Sequence, residues 1–122
     1  MTEYLDPESA VAAARHLGFH IRDEGLLFSA LSRPSASAFG ADAYPSLETK
    51  AAALMQSVAR NHALFDGNRR FCWYLTLAFL ALNGQRLAMP TDDAFDLVLG
   101  VAQGAIEVDE AATRIRAHLI DR

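Results

Sequence analysis

The residues best suited to chemistry in this sequence lie at positions 62–70, which read HALFDGNRR. The turn formers Asp66-Gly67-Asn68 separate two helical patterns, and Asn68 is predicted to be the N-cap of the second helix. Arg69 and Arg70 then fall in the first turn of that helix, where the positive end of the helix dipole disfavours cations. Two arginines beside free backbone N–H groups predict an anion site, and phosphate is the anion that helix N-termini commonly bind.

Two further side chains of this segment are suited to act on a bound phosphate. His62 is predicted to lie on the last turn of the preceding helix, where its imidazole can serve as a general acid or base. Asp66 offers a carboxylate of the kind that holds the Mg²⁺ of a bound nucleotide. An ordinary helix-terminal histidine followed by an ordinary turn is the alternative interpretation, and it leaves Arg69 and Arg70 unexplained.

This segment resembles the motif of the Fic/Doc family, His-x-Phe-x-Asp/Glu-Gly/Ala-Asn-Gly/Lys-Arg, which spans a loop between two helices. The positions that match it are His62, Asp66, Gly67, Asn68 and Arg70. Leu64 replaces the usual Phe and is expected to keep the loop anchored in the core. Arg69 stands where Fic enzymes have Gly and Doc proteins usually have Lys, so it favours the Doc (death-on-curing) branch, the toxin half of toxin–antitoxin pairs.

The resemblance extends from about residue 20 to about residue 107. Residues 25–34, GLLFSALSRP, are similar to the Gly-Leu-Leu-x-Ser-Ala-Leu-x-Arg-Pro segment of Doc proteins. Tyr44-Pro45 and residues 50–54, KAAAL, match the start of the central helix of that family, and residues 80–84, LALNG, match the end of the next helix.

The resemblance implies a protein kinase that uses ATP and Mg²⁺. The nucleotide would be bound by Gly67, Asn68, Arg69 and Arg70, with the side chains of Asn68 and Arg70 gripping phosphate oxygens. Asp66 would hold the metal, and His62 would be the catalytic general base on a hydroxyl of the target protein. In Doc the γ-phosphate is transferred and the type of target is elongation factor Tu, so that translation stops.

Two alternatives remain open. A Fic-type enzyme would instead transfer AMP, although the bulk of Arg69 should obstruct the close approach of a diphosphate that Gly permits in Fic enzymes. A non-catalytic member would only bind its antitoxin. Glu24-Gly25 matches the end of the Fic inhibitory motif, but His20 occupies its Ser/Thr position, so inhibition is expected from a separate antitoxin of the Phd type through its C-terminal segment.

The composition of the chain disfavours a nucleic-acid-binding protein and a membrane-spanning protein. The chain has 122 residues, 52% of them hydrophobic, and a net charge of −4, which fits one folded domain and disfavours direct binding to nucleic acid. Its single cysteine, Cys72, lies between Phe71 and Trp73 and is interpreted as a small buried hydrophobe. Without a signal peptide or an apolar run long enough for a membrane, the protein is expected to be soluble and cytoplasmic.

Hydrophobic spacing and capping signals predict an all-α fold of about six helices in one domain over residues 1–122. The family resemblance implies that these helices form a Fic/Doc-type bundle around a buried central helix. The fourth helix, from Arg69 to Leu82, is apolar on nearly every side and is predicted to be the buried central helix. Residues 32–45 are predicted to be a loop, which in the family carries a flap and sometimes a short hairpin. The other helices are predicted at about 7–17, 22–31, 47–64, 91–103 and from 108 or 109, the last with Ala112, Ile115, Ala117 and Leu119 facing inward.

Overall fold

The computed structural model describes all 122 residues as six α-helices and two small antiparallel ribbons. The elements in chain order are α1 Pro7–His16, α2 Glu24–Ser32, a 3₁₀ turn Arg33–Ser35, β1 Ser37–Ala38, β2 Ala41–Asp42, α3 Leu47–Asn61, α4 Asn68–Leu82, β3 Gln85–Leu87, α5 Thr91–Ala102, α6 Val108–Ala117 and β4 Leu119–Asp121. The predicted six-helix, predominantly helical fold is confirmed.

The buried central helix is α3, and the prediction that it would be α4 is wrong. Every residue of α3 from Lys50 to Ala59 is buried, and the helix packs against α2, α4, α5 and α6. In α4, by contrast, Tyr74 and Leu82 are exposed. The large side chains of α4 made it look the more buried of the two, whereas the alanines of α3 let neighbouring helices approach it closely from several sides.

Capping residues explain where the first three helices begin. Asp6 and Asp23 accept hydrogen bonds from the N–H groups of Ser9 and Leu26, at 2.9 and 3.0 Å. Ser46 forms a reciprocal capping box with Thr49 at the start of α3. The end of α3 was predicted less well, because the helix stops at Asn61 and not near Leu64.

The predicted loop at 32–45 contains the short hairpin that the family resemblance anticipated. Phe39 and Gly40 turn β1 into β2 with positive φ angles of 54° and 80°. Lys50, a buried residue of α3, holds this hairpin because its Nζ lies 3.1 Å from the carboxylate of Asp42. The hairpin is thereby tied to the central helix.

The C-terminal strand was not predicted. Residues Leu119–Asp121 pair with β3 in the register Gln85↔Asp121 and Leu87↔Leu119. Ala117 is exposed at the end of α6, so its predicted inward orientation is wrong, whereas Ala112 and Ile115 are buried as predicted.

The interpretation of Cys72 as a small buried hydrophobe is confirmed. Cys72 is fully buried, and burial raises the pKa of its thiol to about 12, so the side chain is neutral and unreactive at physiological pH. None of the helices combines the length and the apolar character that crossing a membrane requires.

Candidate active site between α3 and α4

The loop that joins α3 to α4 is held by the side chain of Asn68. Its Oδ1 accepts a hydrogen bond from the N–H of Leu64 at 3.0 Å, and its Nδ2 donates one to the carbonyl of Leu64 at 3.0 Å. Asn68 is the first residue of α4 and Gly67 is the N-cap, so the prediction of Asn68 as N-cap is wrong by one position. These two bonds fix the orientation of the Asn68 amide, and its second N–H donor and its backbone N–H remain without a partner.

Gly67 occupies a position that few other residues could take. Its φ is +84°, and a Cβ atom there would lie 2.5 Å from Cε1 of Phe19. Phe19 also lies under the guanidinium of Arg70, at 5.5 Å from ring centroid to Cζ, and against the buried ring of Phe71. The ring of Phe19 therefore packs against the loop at Gly67 and also contacts the guanidinium of Arg70.

Leu64 anchors the other side of the loop, as the sequence predicted. Its side chain is 2% exposed and belongs to the main hydrophobic core. The replacement of the usual Phe by Leu therefore preserves the apolar anchor.

The first turn of α4 presents unpaired hydrogen-bond donors to solvent. The N–H groups of Asn68, Arg69 and Arg70 have no acceptor, since the first backbone bond of the helix runs from Phe71 N–H to the Gly67 carbonyl. Arg69 and Arg70 are exposed, and neither forms an ion pair or a hydrogen bond. The turn thus combines free N–H groups, the helix dipole and two uncompensated cations, which is the arrangement that binds phosphate.

His62 lies at the other end of the same loop, six residues before the first residue of α4. It is the C-cap of α3, one residue beyond the helix in which it was predicted, with a left-handed backbone (φ 53°, ψ 48°) and an exposed side chain. This conformation is uncommon for a residue with a Cβ, although histidine adopts it more readily than most. An exposed imidazole at the edge of a cationic turn is available to a substrate.

A segment of the chain that sequence analysis overlooked runs beside the loop. Ile21 forms an antiparallel bridge with Leu64, and the N–H groups of Arg22 and Asp23 donate to the carbonyl of Ala63 at 2.7 and 3.1 Å. The guanidinium of Arg22 donates twice to the carbonyl of His62. These contacts join residues far apart in sequence and follow no helical or strand periodicity, so the sequence did not indicate them. Arg22 was predicted at the start of the second helix, which begins at Glu24 instead.

Asp66 is exposed, and its Oδ1 accepts a hydrogen bond from the N–H of Gly67 at 2.8 Å. No group of three or more His, Cys, Asp or Glu side chains is arranged to hold a metal ion. A single carboxylate nevertheless fits Mg²⁺, which keeps several water ligands and takes others from the phosphates of a nucleotide.

The carboxylate of Glu24, the residue that matches the end of the Fic inhibitory motif, is engaged elsewhere. Its Oε1 accepts from Nη2 of Arg15 at 3.2 Å. No acidic side chain lies within ion-pair distance of Arg70, so its guanidinium is left open to a ligand.

Comparison with known proteins extends the similarity over most of the chain. A model of the Fic/DOC family matches residues 4–80. Toxin Doc from Mycolicibacterium smegmatis (strain ATCC 700084 / mc(2)155) is 46% identical over 121 residues, which cover 94% of this chain and 92% of that protein.

Proposed function

This chain belongs to the Fic/DOC family, and we propose that it is a Doc-type toxin that transfers the γ-phosphate of ATP to a hydroxyl of a translation factor. The observation that carries this proposal is the unpaired first turn of α4, where three free N–H groups and two unpaired arginines face solvent beside an exposed histidine. A helix start of this kind is unfavourable unless an anion occupies it.

In the proposed reaction, Gly67 permits the close approach of phosphate to the backbone, and the N–H groups of Asn68 to Arg70 donate to its oxygens. The guanidinium groups of Arg69 and Arg70 neutralise the charge of the polyphosphate. Asp66 would hold the Mg²⁺ that supplies additional charge neutralisation when it is bound. Positioning and charge neutralisation provide most of the catalysis in phosphoryl transfer, so a compact cationic loop is sufficient.

His62 is the proposed general base. It accepts the proton of the target hydroxyl as the hydroxyl oxygen bonds to the γ-phosphorus, and the bond from that phosphorus to the bridging oxygen breaks, so that ADP leaves with the bridging oxygen. The products are a phosphorylated side chain and ADP.

Arg69 favours transfer of phosphate over transfer of AMP. A side chain at this position limits how closely a diphosphate can lie along the backbone, which is the arrangement that Gly permits in Fic enzymes. Arg69 also adds a cation beside Arg70, which suits a terminal phosphate group. Both features support the Doc-type orientation of the nucleotide.

An antitoxin of the Phd type is the proposed partner, acting through its C-terminal segment. The support is the 46% identity to a protein named Toxin Doc and the engagement of Glu24 with Arg15. No acidic residue of this chain forms an ion pair with Arg70, which leaves its guanidinium accessible to an acidic side chain of the antitoxin. We place the protein in the cytoplasm, where its proposed target, elongation factor Tu, acts.

The test incubates the purified chain with elongation factor Tu and ATP labelled at either the α- or the γ-phosphate, with His62→Ala as the matched variant. Incorporation of the γ-label that is lost in His62→Ala is the expected result. Incorporation of the α-label would replace this proposal by AMP transfer. If neither label is incorporated from ATP into this factor or into any protein of a whole lysate, the chain is a non-catalytic, antitoxin-binding member.

A further inference from the structure

The guanidinium of Arg22 caps the C-terminus of α3 at the residue that carries the proposed catalytic imidazole. Its Nε and Nη2 donate to the carbonyl oxygen of His62 at 3.0 and 2.6 Å. Hydrogen bonds from a charged donor are among the strongest in proteins, and a cation at a helix C-terminus also interacts favourably with the helix dipole.

These bonds act on one of the two non-glycine residues of the chain that have a positive φ angle. His62 has a φ of 53°, in the left-handed region, whereas the preceding residues of α3 are helical. A left-handed residue with a Cβ persists only where its surroundings hold it. Because the direction of the Cα–Cβ bond follows from the backbone angles, the conformation of His62 also sets the direction in which its imidazole leaves the chain.

The backbone on the other side of His62 is held by the same short segment. The carbonyl of Ala63 accepts from the N–H groups of Arg22 and Asp23, and the N–H of Phe65 donates to the carbonyl of His20 at 3.0 Å. Arg22 is the only residue of this segment that contacts the carbonyl of His62 through its side chain. Since Arg22 is exposed, replacing it leaves no buried charge behind and the backbone pairing can remain.

We propose that Arg22 is a positioning residue of the active site, which holds His62 in its left-handed conformation and thereby aims the imidazole at the reacting hydroxyl. The role of Arg22 in the reaction rests on the proposed function of His62. Its role in ordering His62 does not, and can be measured separately.

The experiment compares the wild-type chain with Arg22→Ala, Arg22→Lys and Arg15→Ala. Arg15 is the matched control because it is exposed and belongs to the same region, but its guanidinium contacts only Glu24. The chain has four histidines, so the imidazole resonances can be resolved by NMR and that of His62 assigned from His62→Ala. Thermal unfolding and the kcat and KM of γ-phosphate transfer are measured on the same samples.

In Arg22→Ala we expect the His62 resonance to shift and broaden while the other histidines keep theirs. We expect kcat to fall about tenfold to a hundredfold with little change in KM for ATP, because misplacing a catalytic group affects the transition state most. Millimolar methylguanidinium should restore part of kcat in Arg22→Ala, and Arg22→Lys should retain part of it. Arg15→Ala should behave as wild type in all of these measurements.

An unchanged His62 resonance in Arg22→Ala would overturn the inference, whatever the activity. A fall in kcat that follows a general loss of folded protein, with no rescue by methylguanidinium, would also overturn it. If the wild-type chain transfers no phosphate, the proposed function fails, and the NMR comparison still decides whether Arg22 orders His62.

Discussion

The two 15-residue helices that flank the candidate active site begin in opposite ways. At the start of α3, Ser46 and Thr49 satisfy one another's backbone N–H groups, and Glu48 lies in the first turn. At the start of α4 there is no side-chain cap and no acidic residue, and two arginines take the place of the acid. The first helix start is satisfied by side chains of the chain itself, whereas we propose that the second is completed by an anion.

This difference has an energetic meaning. A missing cap costs about 1 kcal/mol, and each misplaced cation about 0.3–1 kcal/mol. The start of α4 therefore contributes roughly 2 kcal/mol less than the start of α3 to the free energy of unfolding. This difference is a sizeable part of the ~5–15 kcal/mol stability of a typical domain. A local loss of stability of this kind is expected where unpaired N–H donors are kept for a ligand.

Among the substitutions that only remove a side chain, the largest effect on ATP binding should follow from removing Arg70. We expect Arg70→Ala to weaken ATP binding by about tenfold to a hundredfold, since a lost charge-assisted hydrogen bond costs about 1.5–3 kcal/mol. Isothermal titration calorimetry with ATP and Mg²⁺ measures this change, and Arg114→Ala, which removes an arginine paired with Glu110, is the matched control. Equal affinities for wild type and Arg70→Ala would mean that the first turn of α4 is not the phosphate site.

Gly67→Ala should damage the loop itself. A Cβ would lie 2.5 Å from the ring of Phe19, at a φ of +84° that alanine disfavours. We expect a loss of about 1–3 kcal/mol in the free energy of unfolding, measured by urea denaturation, together with loss of phosphate transfer. The double variant Gly67→Ala/Phe19→Ala should relieve the clash but not the strain, so a double variant no less active than Phe19→Ala alone would contradict this account of the loop.

Ser46→Ala tests the capped helix start. Removing the cap of α3 should lower the free energy of unfolding by about 1 kcal/mol. Phosphate transfer per folded molecule should not change, because Ser46 lies at the opposite end of α3 from His62. A selective loss of transfer at full stability would show that the two helix starts are not independent.

The smallest expected change in the free energy of unfolding has the opposite sign. Arg69→Glu places an acid in the first turn of α4, where it should raise the free energy of unfolding by about 0.3–1 kcal/mol. The same substitution should abolish nucleotide binding, because a carboxylate would then face the phosphates. Thermal unfolding with and without ATP measures both effects, and destabilisation of the ligand-free variant would argue that Arg69 has a structural partner after all.

Most helix starts were predicted well, although α2 begins at Glu24 and not at about Arg22. Asp6 and Ser46 are residue types that commonly cap helix N-termini, and α1 and α3 begin directly after them as predicted. The end of α3 was harder to predict, because the helical pattern continues to Leu64 while tertiary contacts stop the helix at Asn61. The C-terminal strand escaped prediction for a similar reason, since its pairing partner lies more than thirty residues earlier.

The candidate site also contains residues that the sequence located and residues that it did not. The family motif located His62, Asp66 and the two arginines, but it did not show that Asn68 holds the loop through Leu64. It also did not reveal Phe19 or Arg22, whose contacts with the loop and the start of α4 join residues 40 or more positions apart in sequence. Spacing along the chain identifies residues of one loop, whereas the residues that support the loop from outside become visible only in the fold.

The central claim is that the uncapped, cationic start of α4 binds phosphate. Its most direct test is ³¹P NMR of ATP with Mg²⁺, titrated with the wild-type chain, with Arg69→Glu/Arg70→Glu and with Arg15→Glu as the control. We expect the phosphate resonances to shift and broaden with wild type and with Arg15→Glu, and to remain those of free ATP with the double variant. Equal perturbation by the double variant and the wild type would contradict the claim and place the nucleotide elsewhere on the protein.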